Sequence, residues 1–196
     1  MKEIRPTSGR VMSALFSILG GMIDGAEFLD LFAGTGRVGL EALRRGANRA
    51  VFVETVRNRA DDIRRNIPTN DNLPPSVNGV PPAEALPPSA SRVPPKLGGI
   101  KGGALVLSLE IRRALSWLVK HDMKFTVIFA DPPYNSGWCE TLPALPNLDA
   151  VFSPGALMVI EHSVREPVTL SNNPHGLEIT STREYGETCL TFLQML

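Results

Sequence analysis

The sequence predicts an α/β fold in which a mostly parallel sheet is covered by helices on both faces. Short apolar runs alternate with helix-spaced amphipathic segments as far as residue 161, a pattern typical of parallel sheets. The chain ends differently, with two strand-like runs, 177–185 and 187–194, that turn at Gly186 and predict an antiparallel hairpin. A chain of 196 residues, 43% hydrophobic and 20% charged, suits a single domain over 1–196.

The individual elements follow from apolar spacing and from glycine and proline boundaries. The strands predicted before the hairpin are 27–32, 50–53, 104–109, 124–130 and 155–161. The predicted helices are 10–20, 37–45, 57–67, 111–121 and a helix over 137–151 that is interrupted near Pro143 and Pro146. Residues 68–99 are rich in proline, serine, asparagine and glycine, so we expect a flexible surface insertion there.

Composition excludes several classes of function. The net charge is zero and the pI is near 6.8, which argues against retention on nucleic acid by bulk charge alone. Cys139 and Cys189 lack metal-ligand spacing, so no metal site is predicted and a reducing cytoplasm is the expected compartment. No signal peptide and no apolar run of about 18 residues is present, so neither secretion nor membrane insertion is predicted. We expect a monomer.

Acidic residues follow four of the predicted parallel strands. Asp30, Glu54, Glu110 and Asp131 each lie at or just beyond a strand's carboxyl end. Ligands of open α/β sheets bind at that edge. The sequence therefore predicts one site built from several strand ends.

A glycine loop, Gly34-Thr35-Gly36, follows the first strand. Its glycines let the backbone approach a ligand closely, and the next helix directs its N-terminus inward. With Gly39 the spacing also satisfies the dinucleotide pattern, so an NAD-type ligand and a turn without ligand are alternatives. Asp30 favours a ligand that carries a positively charged amino group. Glu54 is placed to accept hydrogen bonds from ribose hydroxyls, and Glu110 or the backbone of Ile111 would lie beside an adenine ring.

The segment Asp131-Pro132-Pro133-Tyr134 predicts a site for a planar amino group. The prolines fix the backbone so that carbonyls point into the cleft. The Asp131 carboxylate and the Pro132 carbonyl can accept from both hydrogens of a base amine, directing its lone pair at an electrophilic methyl group. Tyr134 can stack on the base, worth about 1–3 kcal/mol. The alternative is a Pro-Pro turn after a core strand.

Six segments together resemble the RsmD family, bacterial methyltransferases that modify N2 of a guanine in small-subunit ribosomal RNA. They are Arg5–Val11, Asp30–Gly36, Leu40–Ala47, Phe52–Glu54, Asp131–Tyr134 and Arg183–Thr188. The resemblance implies S-adenosylmethionine as methyl donor and a seven-stranded Rossmann-like fold of the class I methyltransferases.

The resemblance also implies roles for individual residues. Cofactor binding would fall to Asp30, Phe32, Ala33, Gly34, Thr35, Gly36, Glu54, Thr55, Glu110 and Ile111. Catalysis would fall to Asp131, Pro132, Pro133 and Tyr134. RNA binding would fall to Arg5, Thr7, Arg10, Tyr134 and Tyr185. The expected partner is ribosomal RNA, either free or within an assembling small subunit.

Two other functions remain open on the sequence. One is amino-directed methylation of DNA adenine or of a different RNA. The other is a non-catalytic cofactor-binding protein that acts in ribosome assembly. The intact Asp131–Tyr134 segment argues against the second.

Overall fold

A computed structural model describes residues 9–67 and 103–195. Within them lies one seven-stranded sheet of order β3-β2-β1-β4-β5-β7-β6. The strands are β1 Glu27–Asp30, β2 Arg49–Val53, β3 Ala104–Leu107, β4 Phe125–Ala130, β5 Phe152–Ser163, β6 Leu177–Tyr185 and β7 Thr188–Met195. The first five pair in parallel, whereas β7 is antiparallel to both β5 and β6.

Helices connect the parallel strands. They are α1 Gly9–Leu19, α2 Arg37–Arg44, α3 Arg57–Asn66, α4 Ile111–Lys120 and α5 Trp138–Thr141. Short 3₁₀ turns follow α1 and α5. The interrupted helix predicted over 137–151 is thus a single turn of α-helix followed by two 3₁₀ turns, since prolines at 143 and 146 deny the backbone donors that a longer helix needs.

Two apolar layers lie on the two faces of the sheet, because successive strand residues point to opposite sides. Phe28, Phe52 and Phe129 belong to the layer that also contains the buried residues of α1, α2 and α3. Leu29 and Ile128 belong to the layer with the buried residues of α4 and α5. The predicted fold class is therefore confirmed. The predicted start of the fifth strand at Gly155 is wrong, because the strand begins at Phe152 and passes through Pro154 and Gly155 before its fully buried part.

The order of the strands determines where a ligand can bind. The chain passes outward from β1 through β2 to β3 and then returns to β4 on the other side of β1. The crevice at such a reversal, at the carboxyl ends of the strands, is where open α/β sheets bind ligands. The loops after β1 and β4 meet there.

Candidate active site at the strand ends

The four predicted carboxylates lie along one edge of the sheet. Asp30 is the last residue of β1, Glu54 and Asp131 directly follow β2 and β4, and Glu110 is three residues beyond β3. These strands are neighbours in the sheet and parallel. The structure therefore brings the four acidic positions to adjacent strand ends.

The glycine loop after β1 is held by the carboxylate of Glu54. One oxygen of this buried side chain accepts from the Gly34 amide at 2.9 Å, and the other accepts from the Val56 amide at 2.7 Å. The Ala33 amide donates to the Val53 carbonyl at 3.0 Å. The loop is thus fixed to the end of β2 by one backbone hydrogen bond, to Val53, and by one hydrogen bond to a side chain, that of Glu54.

Asp30 has an incomplete set of hydrogen bonds. Its side chain is only 2% exposed, and Oδ2 accepts from the Gly39 amide at 3.3 Å. Oδ1 has no hydrogen-bond partner among the described residues. Burial raises the pKa of Asp30 to about 7; the negative charge of Glu54 adds to the rise, and the Gly39 and Phe32 amides oppose it. A buried acceptor in this state is stabilised by a cation, which would restore the charged carboxylate.

The glycines of the loop serve different purposes. At Gly34, with φ +54°, an added Cβ would meet only the Phe32 carbonyl oxygen, at 3.9 Å, so the space beside the loop is open. At Gly39, an added Cβ would come within 2.3 Å of the Phe52 ring, so this glycine allows α2 to pack on β2. Open space at Gly34 and the unpartnered oxygen of Asp30 both fit an amino-bearing nucleoside cofactor.

The Asp131–Tyr134 segment lies on the other side of this crevice. Pro132 is buried, Asp131 and Tyr134 are half-buried and Pro133 is exposed. The Tyr134 hydroxyl lies 3.3 Å from Thr188 Oγ1, at the start of β7. The tyrosine ring is therefore tethered to the hairpin while part of it remains open to solvent.

The two halves of the site touch through an aromatic contact. Phe32 of the glycine loop and Trp138 at the start of α5 meet edge to face, with ring centroids 5.2 Å apart. The Leu31 amide also donates to the Phe129 carbonyl of β4 at 2.9 Å. The glycine loop and the Asp131 loop are thus neighbours in a single crevice.

Several predicted site residues make no hydrogen bond or ring contact with the two site loops among the described contacts. Thr35 and Thr55 are exposed, Ile111 is buried, and the Glu110 carboxylate accepts from the Arg113 amide at 3.4 Å, so it caps α4. Arg10 is exposed in the first turn of α1, and Tyr185 packs against the core at the end of β6. Arg5, Thr7 and the predicted insertion over 68–99 lie outside the described residues.

Sequence reasoning assigned no individual role to three residues that contact the two site loops. Glu166 accepts hydrogen bonds from the loop after Tyr134, Trp138 contacts Phe32, and Thr188 meets Tyr134. Thr188 belongs to the motif Arg183–Thr188, so the resemblance already pointed to it. Nothing in the local sequence marks Glu166, because its role depends on a fold that places two distant loops side by side.

Neither the cysteines nor clusters of metal ligands provide a second candidate site among the described residues. Both cysteines are buried, and burial together with the charge of Glu166 raises the pKa of Cys139 to about 12, which leaves an unreactive thiol. In the described part of the chain, no group of three or more metal-ligating side chains is found. None of the described helices is long and apolar enough to cross a membrane.

Comparison with known proteins places the chain in a family. The model of the family described as "Conserved hypothetical protein 95" matches residues 1–75 and 100–194. The chain belongs to this family. The resemblance to the RsmD family that the six segments indicate is confirmed.

The relatives are distant in sequence but similar over most of their length. "Putative rRNA methyltransferase YlbH" of Bacillus subtilis is 28% identical over 184 residues, covering 94% of this chain and 84% of that protein. "Ribosomal RNA small subunit methyltransferase D" of Escherichia coli K12 is 28% identical over 161 residues, which are 82% of this chain and 65% of the relative's length. The solved structure "Putative methyltransferase yhhF from Escherichia coli" superposes with a TM-score of 0.69 at 25% identity, covering 100% of this chain and 89% of that one. The fold is thus the Rossmann-like fold of class I methyltransferases.

Proposed function

We propose that the protein is an S-adenosylmethionine-dependent methyltransferase that acts on ribosomal RNA and methylates N2 of a guanine in the 16S RNA. One observation carries the proposal. The end of β1, where Asp30 Oδ1 is buried without a hydrogen-bond partner among the described residues, and the Asp131–Tyr134 segment after β4 lie side by side at the strand reversal of the sheet. A donor site and an acceptor site must be adjacent for a methyl group to pass between them.

The cofactor half suits the charges of S-adenosylmethionine. Bound there, the cofactor supplies an electrophilic methyl group on a sulfonium. Asp30 Oδ1 would pair with its amino group, gaining the partner that it lacks among the described residues. Glu54 would accept from the ribose hydroxyls with lone pairs that the Gly34 and Val56 amides leave unused. Ile111 would contact the adenine ring.

The target half suits an exocyclic amine. The lone pair of such an amine is delocalised into its ring. The site must therefore bind both N–H groups in an orientation that takes the lone pair out of conjugation. The Asp131 carboxylate and the Pro132 carbonyl can accept them, and Tyr134 can stack on the base. Methyl transfer would form the nitrogen–carbon bond as the sulfur–carbon bond breaks. The nitrogen would then carry one proton too many, and the Asp131 carboxylate would accept it. No stronger base is required, because the proton would leave after the methyl group has moved.

The finer specificity rests on the relatives and the motifs. The Escherichia coli relative is named as a methyltransferase of the ribosomal small subunit, and the motif Arg183–Thr188 is one that this chain shares with the RsmD family. A guanine in RNA must be outside a helix, or flipped out of it, to reach the crevice. We propose that the enzyme works in the cytoplasm as a monomer, on naked RNA or on an assembling small subunit.

The test is transfer of a labelled methyl group from S-adenosylmethionine. Unmethylated 16S RNA, small subunits that lack the modification and unmethylated DNA are offered separately, and the products are digested to nucleosides. We expect label in N2-methylguanine from a ribosomal substrate. Label in N6-methyladenine would instead favour amino-directed methylation of adenine. The absence of label on every substrate would favour a non-catalytic assembly role.

The variant Asp131→Ala tests the assignment of the site. It should lower the methyl-transfer rate at least about 100-fold, because the amine loses its charged acceptor. Affinity for S-adenosylhomocysteine, measured by calorimetry, should stay within about twofold of the parent. Unchanged turnover would remove Asp131 from the mechanism.

A further inference from the structure

The loop that follows Tyr134 is held by a carboxylate from another part of the chain. Glu166 lies in the turn after β5, and one of its oxygens accepts from the Asn135 amide. The other oxygen accepts from the Gly137 amide at 2.8 Å. A single side chain therefore binds two backbone donors that lie two residues apart, immediately after the target-base segment.

At its end this loop is joined to α5, since the Gly137 carbonyl accepts from the Thr141 amide at 3.1 Å and from the Thr141 hydroxyl at 2.9 Å. The residues before Gly137 have few other constraints. Pro133, Asn135, Ser136 and Gly137 are all exposed, so packing contributes little to its shape. Asn135 and Gly137 have left-handed backbone conformations, with φ of 54° and 74°. Asparagine adopts that conformation more readily than other non-glycine residues, and a favourable contact can hold Asn135 in it. The carboxylate of Glu166 provides it, together with a hydrogen bond from the Ser136 hydroxyl to the Pro133 carbonyl.

Glu166 itself is carried by a well-fixed turn. Its amide donates to the Ser163 carbonyl at 3.0 Å, and the Arg165 amide donates to the Ser163 hydroxyl at 3.2 Å. The Val164 amide donates to the Glu187 carbonyl at 3.1 Å, which joins the turn to the β6–β7 hairpin. Because Tyr134 also meets this hairpin at Thr188, the turn and the hairpin support the target-base segment from the same side.

We propose that Glu166 is a positioning residue for the methyl-transfer step, which it serves by fixing the backbone that carries Asp131–Tyr134. The proposal rests on the proposed function, since it assigns Glu166 to the target half of that site. The carboxylate has no contact with Asp30 or Glu54, the acidic residues of the cofactor half, among the described hydrogen bonds. Its removal should therefore impair methyl transfer and leave cofactor binding intact. A displacement of about 1 Å at the reacting groups is enough to slow a reaction 100-fold.

The key variant is Glu166→Gln, which keeps the size of the side chain. Its amide has one acceptor oxygen and an NH₂ group that cannot accept from a backbone amide, so one of the two hydrogen bonds is lost. Glu166→Ala removes both. We expect kcat to fall about tenfold in the first variant and about 100-fold in the second, with KM for S-adenosylmethionine within about twofold of the parent. Glu178→Gln, an exposed position on β6, is the matched control and should change neither constant.

Hydrogen exchange gives a readout that does not depend on activity. In the unliganded protein, peptides covering 131–138 should exchange at least about tenfold faster in both Glu166 variants, while peptides covering 28–40 should be unchanged. If the Glu166 variants lose cofactor affinity and unfolding free energy along with kcat, the role of Glu166 is merely structural and the proposal is overturned. An unchanged kcat in Glu166→Ala would overturn it as well.

The two proposals can fail separately. If the parent protein methylates no nucleic acid, the proposed function fails, while faster exchange confined to 131–138 in the Glu166 variants would still show that Glu166 fixes this loop. If the parent is active and Glu166→Ala is equally active, the proposed function stands and the role of Glu166 is wrong.

Discussion

Gly36 and Gly137 occupy equivalent places in the two halves of the site but differ in their surroundings. Each precedes the helix that follows a site loop, and their backbone conformations are nearly identical, with φ 75°, ψ 8° and φ 74°, ψ 8°. A Cβ added at Gly36 would lie 2.9 Å from Ile63 Cγ1, whereas one added at Gly137 would meet nothing within 4 Å. Each loop is held by a carboxylate, Glu54 or Glu166. The glycine loop is also packed against the core at Gly36, whereas the loop after Tyr134 is open at Gly137.

This difference fits the ligand that we propose for each half. A cofactor of constant shape suits a loop that is fixed before binding, with the buried Asp30 and Glu54 beside it. An RNA base would enter from solvent as part of a large molecule, so the groups proposed to hold it must stay accessible. The hydrogen bonds of Glu166 give the open loop a defined shape without burying it.

The largest effect predicted from this comparison is on stability. Gly36→Ala should lower the free energy of unfolding by about 2–5 kcal/mol, since a left-handed alanine costs about 1–2 kcal/mol and the contact with Ile63 adds an overpacking cost of about 1–3 kcal/mol. Gly137→Ala bears only the first cost and should lose about 1–2 kcal/mol. Urea unfolding of the two variants measures the difference. Equal losses would contradict the inferred contrast in packing.

The fold and the positions of the site residues at the strand ends could be predicted from the sequence, although the contrast between Gly36 and Gly137 could not. Apolar periodicity and backbone-restricting residues act locally, so they can be read from the sequence. The short apolar segments predict the fold, and the glycine loop and the Asp-Pro-Pro-Tyr segment predict where two of the strands end. Asp30, Glu54 and Asp131 could be placed at strand ends for the same reason. Glu110 shows the limit, since its carboxylate caps the helix that it precedes, a competing local role that spacing alone does not reveal.

The contacts between distant segments could not be predicted. Glu166 lies 29 residues beyond Gly137 in the chain, in a turn whose sequence carries no signal for catalysis. Its relation to the target loop depends on β4 and β5 being neighbours and on the length of the turn that follows β5. The Phe32–Trp138 contact likewise joins loops that are adjacent only because β1 and β4 pair.

An intermediate effect, on the affinity for the cofactor product, is expected from the buried carboxylate of Asp30. The pKa of Asp30 in the folded, unliganded protein is raised from 3.8 to about 7, so the carboxyl group is mostly protonated below pH 7. It must lose this proton to pair with a cationic amino group. Affinity for S-adenosylhomocysteine should therefore rise with pH between about 5.5 and 7, by up to about tenfold per pH unit, with release of a proton on binding. Calorimetry in buffers of different ionisation enthalpy measures both. Asp30→Asn should bind more weakly and without this pH dependence; if the variant keeps the parent's pH profile, Asp30 is not the titrating group.

The same shift predicts the sign of a change in stability. A folded-state pKa above the unfolded value means that the folded protein binds more protons, so the unliganded protein loses stability as pH rises from about 4 to 7. Below the unfolded pKa the burial of Asp30 carries no such penalty, and above about 7 the penalty is complete. The free energy of unfolding of Asp30→Asn, measured in urea at pH 5 and pH 8, should fall less over this interval than that of the parent.

The smallest effect is expected at the open half of the site, at the hydroxyl of Tyr134. Its contact with Thr188 Oγ1 is long, 3.3 Å, and half-buried, whereas stacking of the ring on a base is worth about 1–3 kcal/mol. Tyr134→Phe should therefore lower kcat/KM for the RNA by less than about fivefold, and Tyr134→Ala by about 10- to 100-fold. Thr188→Val removes the same contact from the other partner and should match Tyr134→Phe. If Tyr134→Phe is instead as inactive as Tyr134→Ala, the hydroxyl itself serves the reaction, and the target half depends on a polar group of Tyr134 in addition to the backbone that Glu166 holds.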